Sequence, residues 1–322
     1  MGAPDRVNDT VGQRASPRPT PGTGAHFPHA RPRCATAGEP ADGPGPGAAA
    51  LSRLRAPRLA SGRARALGLA SPGTTAAQRL RRVDRWLLAV HAAALTQPAA
   101  VPLVVDLGYG CSPVTTVELF TRLRALRPGA RVVGLEQDPA RVAAAGTASR
   151  DGLAFACGGF ELAGLRPNVA RAMNVLRQYD EPAAARAWSA MCAALGPGGL
   201  LVEGSCDDRG RLAAWVVLDA SGPRSLVLAT HPSSLRRPAA LADVLPRALA
   251  ERNVPGQPVH ALLTAFDDAW ARAASSSSWP SASGGARQRF VSACAALDWP
   301  QSGPARHHYG ELCVPWASVA PT

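Results

Sequence analysis

Residues 104–120, VVDLGYGCSPVTTVELF, constrain the fold more than any other stretch. An apolar run ends on Asp106, a turn carrying Gly108 and Gly110 follows, and apolar spacing then turns helical. A strand that runs through a glycine turn into a helix is the opening of a parallel α/β unit, because parallel neighbours need a crossover. The alternation continues. ARVVGLE reads as a second strand, and DPARVAAAGT as a helix with Asp138 as N-cap and Pro139 at its first position. GLAFACG is a third strand, a fourth falls near Ala170–Asn174, and PAAARAWSAMCAAL is a helix leading through GPGG into the strand LLVEGSC. In the first crossover helix, Val114, Val117, Leu119 or Phe120, and Leu123 face inward. This order predicts an α/β fold with a doubly wound, mostly parallel sheet covered on both faces.

After LLVEGSC the period changes to two. LAAWVVLDASGPRSLVLATH reads as an antiparallel hairpin around Ser221-Gly222-Pro223. The expected sheet therefore has seven strands and ends in an antiparallel hairpin, with HHYGELCVPW able to add a short edge strand. AALADVLPRALAERN, VHALLTAFDDAWARA and RQRFVSACAAL read as helices, and SSSSWPSASGG (275–285) as a low-complexity loop. Ahead of the sheet, SPGTTAAQRLRRVDRWLLAVHAAAL places Leu80, Val83, Trp86, Leu87 and Val90 on one helical face, with Thr74 or Thr75 as cap and Pro98 as stop. Arg79, Arg81, Arg82 and Arg85 lie mostly off that face, either solvated or roofing a ligand.

Composition divides the chain. Residues 1–70 are rich in Pro, Gly, Ala and Arg and cannot bury enough to offset ordering entropy, so they read as a disordered arm before a domain at 71–322. The net charge of +12 suggests a nucleic-acid partner until it is located. Residues 1–97 hold 14 arginines against five acids, whereas the rest is nearly balanced. The excess belongs to the arm, and the folded part shows no basic stripe. Seven scattered cysteines without a CxxC pair disfavour a disulfide framework or zinc knuckle and fit a reducing cytoplasm. No apolar run approaches a membrane span.

A dinucleotide fingerprint needs a third glycine where this turn has Pro113, so a pyrophosphate is disfavoured. A nucleoside without phosphates needs less: a bare turn at Gly108 and Gly110, a carboxylate near its charged tail (Asp106), and an acid ending the next strand for the ribose hydroxyls (Glu136, with Gln137 beside it).

These residues resemble the class I S-adenosylmethionine-dependent methyltransferases over roughly residues 75–230. That family's acid-x-Gly-x-Gly-x-Gly corresponds to Asp106, Gly108, Gly110 and Ser112, the third glycine being replaced. Its ribose acid corresponds to Glu136, its adenine border to Gly158, Gly159, Phe160 and Glu161, and its Leu-x-Pro-Gly-Gly turn to LGPGGLLVEG. The resemblance implies a Rossmann-like fold, S-adenosyl-L-methionine as cofactor, and transfer of its methyl near the end of the fourth strand. There Asn174 would hydrogen-bond cofactor or acceptor, Arg177 would hold an acidic group, and Tyr179 would stack on or bond to a substrate. RAMNVLRQYDE lacks the Asn/Asp-Pro-Pro-Tyr motif of amino-group methylation, which disfavours adenine, cytosine and glutamine acceptors. A small-molecule acceptor is expected first, protein or RNA second, with a catalytically silent cofactor-binding protein and an NAD-dependent oxidoreductase as the other readings. His231 reads as a cap or a base near the substrate mouth, and His307-His308 as no metal site, since strand neighbours point apart.

Overall fold

The computed structural model describes Gly2 and residues 76–96, 101–275 and 282–322. The rest of the expected arm, the caps at Thr74 and Thr75, and Pro98 lie outside the described residues. The first helices are α1 (Arg81–Val90) and the short α2 (Ala92–Thr96). Five strands follow with their crossovers: β1 (Leu103–Leu107), α3 (Val114–Leu126), β2 (Arg131–Glu136), α4 (Pro139–Ala145), β3 (Leu153–Cys157), β4 (Val169–Met173), α5 (Glu181–Ala194) and β5 (Leu200–Cys206). Asp138 caps α4 by accepting the Ala140 N–H, with Pro139 at the first position as expected. β6 (Leu212–Asp219) and β7 (Gly222–Thr230) form the hairpin, then come α6 (Arg247–Ala250), α7 (Pro258–Ser275), α8 (Ala282–Ala295) and β8 (Glu311–Pro315).

The strands form one sheet in the order β3-β2-β1-β4-β5-β6-β7-β8. β1 to β5 pair in parallel, and every later neighbour pairs antiparallel. The count is eight, not seven: ELCVP in the tail adds β8 along β7, where Leu312 and Val314 pack into the core.

Alternation along each strand feeds two cores. Val105, Leu107, Leu201, Ala214 and Val216 pack on one face with α5, α7 and α8. Val104, Val132, Val202, Trp215 and Val217 pack on the other with α1 and α3. Trp86 of α1 meets Trp215 of β6 edge-on at 5.3 Å, so α1 covers the meander half of the sheet.

Three local expectations are corrected. Residues 239–253 are a 3₁₀ segment (Pro238–Val244) and then a four-residue helix, not one helix, because Pro246 cannot continue the hydrogen-bond ladder. Residues 282–285 of the expected loop already belong to α8. In α3, Thr115 and Thr116 are buried while Val114 and Val117 are half-exposed; the threonines turn inward toward a buried charge pair described below. Cys111, Cys192, Cys206, Cys294 and Cys313 are free thiols. Among the described residues no helix is long and apolar enough to cross a membrane.

Candidate functional site

The carboxyl ends of β1, β2, β3 and β4 lie side by side, as a parallel sheet requires. That end of a doubly wound sheet is where ligands sit. The β1–α3 turn folds back there because Gly108 (φ +72°) and Gly110 (φ +80°) adopt left-handed backbone. The Gly108 N–H donates to Leu135 O at 2.7 Å, fastening the turn to β2. A side chain at Gly108 would strike Val175 Cγ2 at 2.6 Å, so part of its bareness serves packing against the β4 end. Ser112 Oγ accepts weakly from Val114 N (3.4 Å) at the start of α3.

Glu136 ends β2 with its carboxylate facing the turn. Oε2 accepts from Gly110 N at 3.0 Å and Oε1 from Gln137 N at 2.9 Å, while Arg141 lies 3.8 Å from Oε2. Two carboxylate oxygens offer about four lone-pair sites, so acceptor capacity remains. Beyond β3, Glu161 Oε1 accepts from Gly159 N at 2.8 Å, and a Cβ on Gly159 would meet both Glu161 and the Gln137 amide. Phe160 is buried and meets Tyr179 edge-on at 5.5 Å. Burial first, and then the Glu136 charge, push the Tyr179 phenol up. Glu136, Gln137, Phe160, Glu161 and Tyr179 thus form one wall beside the glycine turn.

Asn174 follows β4 in left-handed backbone (φ +62°), a conformation costly for a residue with a side chain. It is held there by three bonds to β5: its N–H donates to Gly204 O (2.7 Å), its Oδ1 accepts from Cys206 N (3.0 Å), and its Nδ2 donates to Cys206 Sγ (3.3 Å). Arg177 donates to Asp243 O at 2.9 Å, pinning the 3₁₀ segment, and burial pushes its guanidinium down.

Asp106, near the end of β1, is buried and its carboxylate is engaged within the fold. It faces Arg171 directly across the β1–β4 ladder. Arg171 donates from Nε to Oδ1 (2.8 Å) and from Nη2 to Oδ2 (2.7 Å), and Thr116 donates to Oδ2 at 2.6 Å. Arg171 also pairs with Asp84 of α1, which pairs in turn with Arg122 of α3 at 2.5 Å. All three groups at the centre are buried. Burial works against the Arg171 charge, but Asp106 and Asp84 outweigh it and raise its proton affinity. Burial pushes the Asp84 carboxyl up, with Arg171 and Arg122 opposing. The sequence carried a signal for this network that was missed: an arginine inside the apolar strand VARAM needs a buried counter-ion.

His231 precedes a 3₁₀ turn (Pro232–Ser234) and its Nδ1 lies 3.2 Å from Ser233 Oγ, with no side-chain cap bond to the turn's backbone. His307 and His308 lie in another 3₁₀ turn. Among the described residues no cluster of His, Cys, Asp or Glu suits a metal ion.

No family model matches the chain, and no curated protein sequence matches it. Solved structures similar to part of it include human N-acetylserotonin methyltransferase in complex with S-adenosylmethionine. That likeness has 20% identity and a TM-score of 0.30, over 40% of this chain and 35% of that one. An O-methyltransferase family 2 protein from Planctomyces limnophilus, in complex with apigenin, is 22% identical with a TM-score of 0.28 over 41% and 47%. Magnesium protoporphyrin IX methyltransferase from Synechocystis, with bound S-adenosylhomocysteine, is 20% identical with a TM-score of 0.30 over 39% and 54%. The match spans about half or less of each of these chains.

Proposed function

We propose that this chain is an S-adenosylmethionine-dependent methyltransferase of the class I type, acting on a small-molecule acceptor. The observation that carries the reading is the pairing of Glu136 with the Gly108–Gly110 turn at the carboxyl ends of β2 and β1. A carboxylate with spare acceptor sites beside a bare backbone turn suits the vicinal hydroxyls of a ribose, and Pro113 closes the approach a pyrophosphate would use.

The cofactor, when bound, supplies a methyl group already activated on a sulfonium. The chain's own residues then bind and orient. Glu136 takes the ribose hydroxyls, keeping its Gly110 bond with one lone pair. Gln137, Phe160 and Glu161 border the base, and Tyr179 closes that wall. Asn174, held rigid by Cys206, fixes the edge of the β4 end where an acceptor would be aligned. Asp106, already accepting from Arg171 and Thr116, holds the end of β1 beneath the turn.

Calorimetry with S-adenosylmethionine, S-adenosylhomocysteine and a nicotinamide dinucleotide tests the reading. Binding of the first two and not the third is expected; tight binding of the dinucleotide alone would overturn it. Turnover with candidate acceptors then separates an enzyme from a cofactor-binding protein without catalysis.

A further inference from the structure

A second concavity, of about 670 Å³, opens at the same end of the sheet over β6, β7 and β8. It shares no residue with the wall described above. Its cations arrive from four separate segments. Arg81, Arg82 and Arg85 come from the outer side of α1, Arg209 and Arg211 from the β5–β6 turn, Arg287 from α8, and Arg306 from the approach to β8. Only one carboxylate, Glu311, lines it, and that one accepts from Arg306 Nε at 2.5 Å. Among the described residues the other six arginines make no ion pair.

The arrangement is built and held. Arg82 donates from Nη1 to Tyr309 O at 2.8 Å, while its Nε is buried with no hydrogen-bond partner. Burial pushes the Arg82 guanidinium down, Glu311 opposes this, and Arg85 adds to it. The β5–β6 turn is pressed against α1's approach: Gly210 has φ +62°, and a Cβ there would strike Arg79 O at 1.9 Å. Arg209 and Arg211 are therefore aimed by a turn with no slack.

We propose that this cavity binds a small molecule carrying a diphosphate or longer run of linked phosphoryl groups. Guanidinium forks meet phosphoryl oxygens two at a time, and a strongly hydrated single charge would leave most of these cations uncompensated. The volume is that of a small-molecule site. The cations surround a concavity and do not form a track across the surface, which favours a compact ligand over a nucleic-acid strand. The proposal stands apart from methyl transfer and survives if that reading fails.

The test is calorimetry on the full chain at near-physiological ionic strength, with inorganic pyrophosphate, orthophosphate and a single-stranded RNA oligomer as probes. Pyrophosphate is expected to bind at least about tenfold more tightly than orthophosphate and than the RNA per site. In R209Q/R211Q its affinity is expected to fall about ten- to a hundredfold, since each arginine supplies charge-assisted bonds. Both side chains are exposed, so thermal unfolding should be unchanged, as should S-adenosylmethionine binding. Arg287→Gln, on an exposed position of α8, provides a second variant with the same expected direction should the first misfold. Absence of saturable pyrophosphate binding, equal affinity in the variants, or RNA binding more tightly through the same arginines would each overturn the proposal.

Discussion

Two glutamates of the sheet, Glu136 at the end of β2 and Glu203 within β5, show how one residue type divides by environment. Glu136 is partly buried and hydrogen-bonded to backbone donors, which leaves it acceptor sites to spare. Glu136→Ala is expected to weaken S-adenosylmethionine binding about ten- to a hundredfold, because each charge-assisted bond contributes roughly 1.5–3 kcal/mol. Glu136→Gln should cost less, since one carbonyl acceptor survives; calorimetry on both variants, with circular dichroism for the fold, is the check. Unchanged affinity in both would make Glu136 an ordinary strand terminus. Glu203, in β5, is buried instead. Burial pushes its carboxyl up to about 8, although it accepts from Trp188 Nε1 at 3.0 Å. The unfolded chain releases that proton near the ordinary value of 4.5, whereas the folded chain keeps it to about 8. The proton thus favours the folded state below 4.5, and that contribution drains away as pH rises through 8. Urea unfolding should show stability falling across this window by a few kcal/mol at most. Glu203→Gln should flatten the slope and exceed the wild type at pH 8.

At the level of elements, α1 is attached to the sheet by charge as well as by apolar contact. Val83, Trp86 and Leu87 face the core, and between them Asp84 reaches Arg171. Arg171→Met would leave buried Asp106 with only the Thr116 hydroxyl and buried Asp84 with only Arg122, so a loss of about 3–5 kcal/mol is expected in chemical denaturation. Adding Asp84→Asn and Asp106→Asn should recover much of it; if it does not, the arginine's packing matters more than its charge. This network also marks where sequence reasoning stops. The order of strands and crossover helices was legible because apolar periodicity is local, and so was the glycine turn, because its conformation is. The destination of Asp106 was not, since its partner lies on β4, 65 positions away in the ladder contact to Arg171. The arginine-lined cavity was illegible for the same reason. The arginines of α1 stand out in the sequence, but those of the β5–β6 turn, α8 and the approach to β8 do not, and only the fold brings them together.

At the scale of the whole molecule, charge and topology separate cleanly. We expect removal of residues 1–70 to leave cofactor affinity and the melting temperature unchanged, because that stretch has no apolar periodicity with which to pack on a domain and holds much of the positive charge. A drop of several degrees would show that those residues support the fold. Topology carries the other consequence. β5, β6 and β7 are joined by tight turns and pair within residues 200–230, so this meander can zip up early and fast. β8, its outer neighbour, is synthesised only after residues 231–310. Until then Leu226, Val227, Leu228 and Ala229 of β7 carry an open ladder edge, a ready template for another chain. Five residues, Glu311 to Pro315, close it. A chain stopped at Gly310 should therefore be lost to oligomers and precipitate, visible by light scattering, and the yield of soluble protein should depend on how quickly those last few residues reach the sheet.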